Sequence, residues 1–251
     1  MNITQHPSAF LWQNCLSTDN QFCEAVVSAG FLTQQQMLHA AGRYCIGSSK
    51  RGGVIFWQID HEGRVHDGKV MYYLPDCHRN KDKAAHPTWV SAILAHREAA
   101  LAKSLNLEPF ALNREPLTLN RVSSHCFFGL HQLSTLHASL STVIAIVESE
   151  KTAFILSELY PQCIWMASGG LGEVQPDKFH ALRGRTVMMF PDTDPKGIAF
   201  RRWSEAADLV MHQLFWEDSP PIRVSPILEQ HATAEQKQRK IDLIDFLFDS
   251  S

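Results

Sequence analysis

The second half of the sequence alternates short, continuous apolar runs with segments of helical periodicity. The apolar runs cover residues 143–147, 163–167 and 186–190, and each has the length and continuity of a strand that is buried on both faces. Helical patterns follow the runs, and the longest covers residues 196–214. This alternating order is typical of a parallel sheet covered by helices. We therefore predict an α/β fold for residues 141–251, a parallel sheet with helices on both faces.

Residues 1–140 have a different pattern, which predicts a separate α+β domain. Helical spacing covers residues 7–42, with Gly30 and Gly42 as helix ends. The segment 53–74 is rich in β-branched and aromatic residues, and its EG and DG pairs are turn signals. We therefore expect a helical entry followed by a β-meander.

The composition is that of a globular protein. The chain has 251 residues, of which 45% are hydrophobic and 20% charged, with a formal net charge of −3, and this excludes a disordered chain. No apolar run approaches the roughly 20 residues that a membrane-spanning helix needs, and the first residues lack the pattern of a signal peptide. We expect a cytoplasmic protein without a membrane partner.

The six cysteines are spread over different segments, without a CxxC pair or the short spacing that Cys and His metal ligands have. This pattern predicts neither a zinc ribbon nor a disulfide framework. We expect reduced thiols in or near the core and no zinc.

Polar residues follow the three apolar runs directly, where each predicted strand ends. Glu148 follows the first run, residues 168–170 (Ser-Gly-Gly) the second, and Asp192 and Asp194 the third. Because ligands collect beyond the carboxyl ends of parallel strands, the three acids should meet if the first and third strands are neighbours. Clustered carboxylates repel one another unless a cation neutralises them, and their hard oxygen atoms are suitable ligands for Mg²⁺ or Mn²⁺. Two such ions would suit phosphoryl transfer. The DxD motif, taken by itself, is also explained by an Asp-rich turn whose side chains bond only their own backbone.

Three segments resemble the Toprim fold that DnaG-like bacterial primases share with topoisomerases and certain nucleases. They are VIAIVESEKTAFIL, ASGGLG and MMFPDTDPKGIAFRRW. The family hallmarks are a Glu after the first strand and a DxD after a later one, so the resemblance implies catalytic and metal-binding roles for Glu148, Asp192 and Asp194. Upstream, GGVIFWQIDHEGRVHDGKVMYY and HCFFGLHQL resemble the primase core that precedes Toprim. The similarity spans roughly residues 40–250 and is greatest to primase-like proteins of bacterial mobile elements.

The sequence departs from the family pattern in several places. Primases usually carry a second acid four residues after the Glu, where this chain has Thr152. The third acidic site of the family makes Asp242 a candidate metal ligand with Asp245 nearby, although a helix with two exposed acids explains both equally well. The zinc ribbon and the helicase module of primases have no counterpart here, so we expect a helicase or another replication protein as a partner.

Basic charge is concentrated in the first part of the chain. Residues 1–140 carry two more basic than acidic residues, and residues 141–251 carry five more acidic than basic residues. The resemblance implies that the domain before Toprim grips single-stranded DNA and nucleotides with basic side chains. The candidates are Arg43, Lys50, Arg51, Lys69, Arg79, Lys81 and, beside the DxD motif, Lys196. A solvated surface explains the same charges, and Lys196 also fits the start of a helix.

Three functions follow from these observations. The leading prediction is a Mg²⁺-dependent nucleotidyltransferase of DNA primase type, which joins nucleotides on a single-stranded DNA template during DNA replication. The second is phosphodiester cleavage, as in the nuclease relatives. The third is a nucleic-acid-binding accessory protein that keeps the Toprim scaffold with little turnover. A topoisomerase is less favoured, because none of the four tyrosines lies in a recognisable nucleophile context.

Overall fold

A computed structural model describes residues 16–104, 125–135, 139–214 and 220–249. The chain divides into two units: Met1–Ile59 with Gly63–His125, and Asp60–Glu62 with Cys126–Ser251. The start of the predicted helical entry, residues 7–15, lies outside the described residues. None of the helices in the described ranges is long and apolar enough to cross a membrane.

An antiparallel sheet with the strand order β1-β2-β3-β4 lies at the centre of the first unit. Its strands are β1 (Gly47–Ser48), β2 (Val54–Ile59), β3 (Val65–Met71) and β4 (Thr88–Trp89). β2 and β3 form a hairpin within the segment 53–74, and Gly63 supplies a positive φ of 81° between them. Every residue of β2 is buried, so both faces of the sheet are covered at this strand.

In the described ranges the first unit has the α-helices α1 (Gln21–Ser28), α2 (Gln34–Tyr44) and α3 (Val90–Ser104), with a 3₁₀ turn at Lys83–Ala85. On one face, the ring of Phe22 in α1 lies 5.3 Å from that of Phe56 in β2, edge to face. On the other face, Val90 and Ile93 of α3 pack against a cluster of strand residues. That cluster consists of Ile55, Trp57, Ile59 and Val70.

The end of α2 differs from the sequence prediction. The pattern predicts a stop at Gly42, but the helix continues to Tyr44, and Cys45 takes the left-handed conformation with φ 54°. The Tyr44 side chain is fully buried, so its burial in the core stabilises the extra residues more than the glycine destabilises them. The start of α2 is determined by local contacts, because Thr33 and Gln36 form a capping box.

The second unit is built on a parallel sheet with the strand order β6-β5-β7-β8. The strands are β5 (Ile144–Val147), β6 (Ile164–Ala167), β7 (Val187–Phe190) and β8 (Ile222–Val224). Because β5 and β6 are buried along their whole length, both faces of the central sheet are covered. The predicted fold class, a parallel sheet flanked by helices, is therefore confirmed. The short strand β8 has no counterpart among the predicted strands.

The described helices of the second unit are α4 (Gln132–Thr135), α5 (Glu150–Leu159), α6 (Ile198–Leu214), α7 (Ile227–His231), α8 (Ala234–Arg239) and α9 (Leu243–Phe248). Trp203 and Val210 of α6 are fully buried in the core cluster that also contains Ile144 and Met189. α5 packs on β6, and α9 packs on α5. The helical pattern that follows the second apolar run corresponds to Pro176–Leu182, which is a 3₁₀ helix that begins with proline.

Candidate acidic site

The carboxyl ends of β5 and β7 lie side by side. The two strands pair in parallel, and Val147 is opposite Phe190. Glu148 follows β5 directly, and Asp192 lies two residues beyond β7. The condition stated for the sequence prediction, that the first and third strands are neighbours, is met.

A third acid reaches this edge from the last helix of the described chain. The backbone N–H of Thr193 donates to the Ile241 carbonyl at 3.1 Å, which joins the DxD loop to the residue before Asp242. Asp242 is the N-cap of α9, and its Oδ1 accepts from the Asp245 N–H at 2.8 Å. Only 7% of Asp242 is exposed, so it is not one of two exposed helix acids, while Asp245 is half-buried.

These acids repel one another. Burial, followed by the charges of Glu148 and Asp242, holds the pKa of Asp192 well above its ordinary value, while Lys151 opposes the shift. Glu148, Asp192 and Asp242 therefore form one electrostatic group, which we call the acidic site. An added cation would stabilise the ionised form of Asp192.

Asp242 is already neutralised within the protein. Its burial alone would raise its pKa, but the Lys151 ammonium and hydrogen bonds from Thr152 and Asp245 hold the pKa below its ordinary value. Lys151 Nζ lies 3.3 Å from Asp242 Oδ2, and Thr152 Oγ1 donates to the same oxygen at 2.6 Å. Thr152 thus serves as a hydrogen-bond donor to Asp242.

Asp194 is placed differently. Its Oδ1 accepts from the Lys196 N–H at 2.9 Å and its Oδ2 from the Ala199 N–H at 2.8 Å, at the start of α6. Slight burial raises its pKa, but the backbone N–H groups and the charge of Lys240 outweigh this and lower the pKa overall. Asp194 therefore accepts hydrogen bonds from the backbone that follows it, as an Asp-rich turn commonly does. Lys196 is an exposed residue beside it.

The glycine loop after β6 is tied to the end of β5. The Ser168 N–H donates to the Val147 carbonyl and the Gly169 N–H to the Glu148 carbonyl, both at 3.0 Å. Lys178 Nζ donates to the Ser168 carbonyl at 3.3 Å and pairs with Glu173 at 3.0 Å. Sequence reasoning missed Lys178, and its only signal was a lysine in the short helical segment after the glycine loop.

The basic candidates lie mainly in the first unit. Arg43 is in the last turn of α2, where its guanidinium lies 3.1 Å from His39 Nδ1, and Lys69 is half-buried on β3 opposite Phe56 and Trp89. The remaining four are exposed residues of the segments before β2 and after β3: Lys50, Arg51, Arg79 and Lys81. The structure thus distributes these cations over several segments of the first unit.

The donor set of the acidic site consists of carboxylate oxygens. Mg²⁺ and Mn²⁺ prefer such ligands, and Mg²⁺ is commonly held by one or two carboxylates with water or phosphate completing the shell. Glu148 and Asp192 fit this requirement by their chemistry. Across the described ranges, no group of three or more His, Cys, Asp and Glu side chains has the full arrangement of a metal site.

Comparison with known proteins gives one family and one solved structure of interest. The family described as a domain of unknown function (DUF6371) matches residues 20–193, more than half of the chain. No curated protein matches. Among solved structures, the catalytic core of E. coli primase matches with a TM-score of 0.48 and 15% sequence identity, over 96% of this chain and 81% of that one. From the family match, the chain belongs to the DUF6371 family.

Proposed function

We propose that this chain is a Mg²⁺-dependent nucleotidyltransferase of primase type that acts on single-stranded DNA. The observation that carries the proposal is the convergence of Glu148 and Asp192 at the ends of two neighbouring parallel strands, with Asp242 beside them. Glu148 and Asp192 lie in the segments that resemble Toprim, and ligands of parallel sheets bind at this edge. The raised pKa of Asp192 supports a site that is completed by a cation.

The acids have distinct roles in this proposal. Glu148 and Asp192 would hold the ion, which supplies positive charge to phosphate oxygens when bound. Glu148 is also the candidate general base for the attacking hydroxyl. Asp194 sets the start of α6, and Asp242 fixes Lys151 and Thr152 near the other acids.

In this proposal, the basic residues bind the template and the nucleotides. The exposed cations of the first unit would contact phosphates, which positions a strand without reading its sequence. In this proposal, a helicase or another replication protein would act with this chain as a partner during replication.

A second candidate function is nucleic-acid binding with little turnover. One observation favours it: Lys151 already pairs with Asp242 and Asp245, and Thr152 replaces an acid, so the site has less free negative charge than the family pattern requires. Both candidate functions include DNA binding, and they differ in whether the protein catalyses a reaction at an appreciable rate.

Primer synthesis tests the proposal directly. The assay contains single-stranded DNA, labelled ribonucleotides or deoxynucleotides and Mg²⁺ or Mn²⁺, and the same tubes are examined for DNA cleavage. We expect synthesis by the wild type and a loss of about 100-fold or more in Glu148→Gln and in Asp192→Asn, since each weakens charge stabilisation worth several kcal/mol. Both variants should fold, because neither change removes packing.

Asp208→Asn is the matched control, because Asp208 is an exposed acid on α6. It should synthesise primers at the wild-type rate. Unchanged synthesis in the two acidic-site variants would contradict the site assignment. Cleavage without synthesis would identify a nuclease, and DNA binding without either reaction would identify the second candidate.

A further inference from the structure

Trp89 and His125 form a stacked pair of rings in the first unit. Their ring centroids lie 4.0 Å apart, and the two ring planes differ by 22°. Both residues are half-buried, so each keeps part of its surface accessible to solvent. Stacking of the imidazole on the indole favours one orientation of the Trp89 ring.

The register of the antiparallel sheet shows which face Trp89 occupies. Lys69 of β3 pairs with Trp89 of β4 on one side and with Phe56 of β2 on the other. Side chains of directly paired residues lie on the same face, so these three residues share one face of the sheet. Phe56 is fully buried there against Phe22 of α1. Lys69 and Trp89 are only half-buried. This face is therefore covered at β2 and partly open towards β4, the last strand in the sheet order.

The segment that joins β3 to β4 carries exposed basic side chains. Arg79, Lys81 and Lys83 lie in it, and all three are exposed. Two acids, Asp76 and Asp82, lie in the same segment, so its basic residues outnumber its acidic residues by one. Surfaces that bind single-stranded nucleic acid combine cations that contact phosphates with aromatic rings that stack on bases. This segment and the strand that follows it provide both.

We propose that Trp89, oriented by His125, stacks on a base of single-stranded DNA while the basic residues of this segment contact the neighbouring phosphates. The inference rests on the DNA binding of the proposed function, and it does not depend on turnover. It adds a contact with a base, which phosphate contacts alone do not provide. The bases of a duplex are already stacked on one another, so such a ring favours single strands. Because every base has a π-face, the site should accept any sequence.

Binding to strands with and without bases tests the inference. Fluorescence anisotropy measures the affinity of the full chain for an oligothymidylate and for an abasic oligonucleotide of the same length. We expect Trp89→Ala to weaken binding to the oligothymidylate by about 5- to 150-fold, because the stacking contact is lost. Binding to the abasic oligonucleotide should not change, since the phosphate contacts remain. Tyr160→Ala is the matched control, because it removes an aromatic ring that is exposed in the second unit, and it should bind both strands as the wild type does.

The other results overturn the inference. An equal loss on both oligonucleotides, or no loss on either, would contradict base stacking by Trp89 and leave the proposed function standing. A wild type that does not bind the oligothymidylate would contradict both. If Trp89→Ala does not fold, photocrosslinking of the wild type to a single strand that carries 5-iodouracil decides. A crosslink at Trp89 or His125 supports the inference, and crosslinks confined to other residues overturn it.

Discussion

The two units hold their charged side chains in opposite ways. In the second unit, acids follow parallel strands and are half-buried or buried, with Lys151 and Thr152 bonded to one of them. In the first unit, most basic candidates are exposed in segments that join the antiparallel strands. Parallel strands bring their carboxyl ends to one edge, whereas the turns of an antiparallel sheet occur at both ends.

This difference indicates where a substitution should act. A buried charge with fixed partners contributes to folding stability and to its pH dependence. An exposed cation contributes little to stability, and its effect is on the binding of anions. The predictions below test this distinction.

Asp242→Ala should have the largest effect. The substitution removes the buried carboxylate that pairs with the Lys151 ammonium at 3.3 Å, and it also removes the N-cap of α9. Breaking a buried ion pair by removing one partner costs about 3–5 kcal/mol. We expect a loss of that size in the free energy of unfolding, measured by urea denaturation.

Asp249→Ala is the control for this substitution, because it breaks the more exposed pair of Asp249 with Arg239 near the same end of the described chain. Its urea midpoint should stay close to that of the wild type. Similar midpoints for Asp242→Ala and Asp249→Ala would contradict the prediction that the buried ion pair contributes more to stability than the exposed one.

Asp192→Asn should have an intermediate effect whose size depends on pH. The folded state raises the pKa of Asp192, so its favourable contribution is complete below the ordinary pKa and is lost as pH rises through the raised value. In EDTA, the variant should therefore be more stable than the wild type at neutral pH. The measurement is thermal unfolding across a pH series.

The pH dependence of stability expected from Asp242 has the opposite sign to that expected from Asp192. Its pKa is lowered, so its contribution is present at neutral pH and lost as pH falls through the folded value. Asp242→Asn should therefore be less stable than the wild type at neutral pH, with a smaller difference in acid. If Asp192→Asn is also destabilised at neutral pH, the folded state does not disfavour the ionised form of Asp192, and the raised pKa of Asp192 is contradicted.

Lys81→Ala and Arg79→Ala should have the smallest effect on stability. Both residues are exposed, so their unfolding curves should match that of the wild type. If each contacts a phosphate, the slope of log affinity for single-stranded DNA against log salt should become shallower by about 0.7 for each. Fluorescence anisotropy at several salt concentrations measures this slope.

Arg223→Ala controls for the loss of any exposed cation, because Arg223 is exposed on β8 in the second unit. It should leave the salt slope unchanged. A wild-type affinity that does not depend on salt would show that the basic residues are solvated surface.

The apolar runs were sufficient to predict the parallel sheet and its flanking helices, because a continuous run of four or five apolar residues is stable only where both faces are covered. The positions of Glu148 and Asp192 beyond the strand ends follow from the same runs. By contrast, β8 has only three residues and follows two prolines, so its local signal was too weak to predict it.

The order of residues along this chain was enough to determine which segments are buried strands and which acids follow them, because burial and side-chain periodicity are local properties. Asp194 bonds backbone N–H groups two and five residues further along the chain, a local role that an Asp-rich turn also allows. The role of Asp242, by contrast, was decided by tertiary contacts, because it meets Lys151 across about 90 residues of sequence. Such contacts depend on how helices pack on the sheet, which a local pattern does not encode.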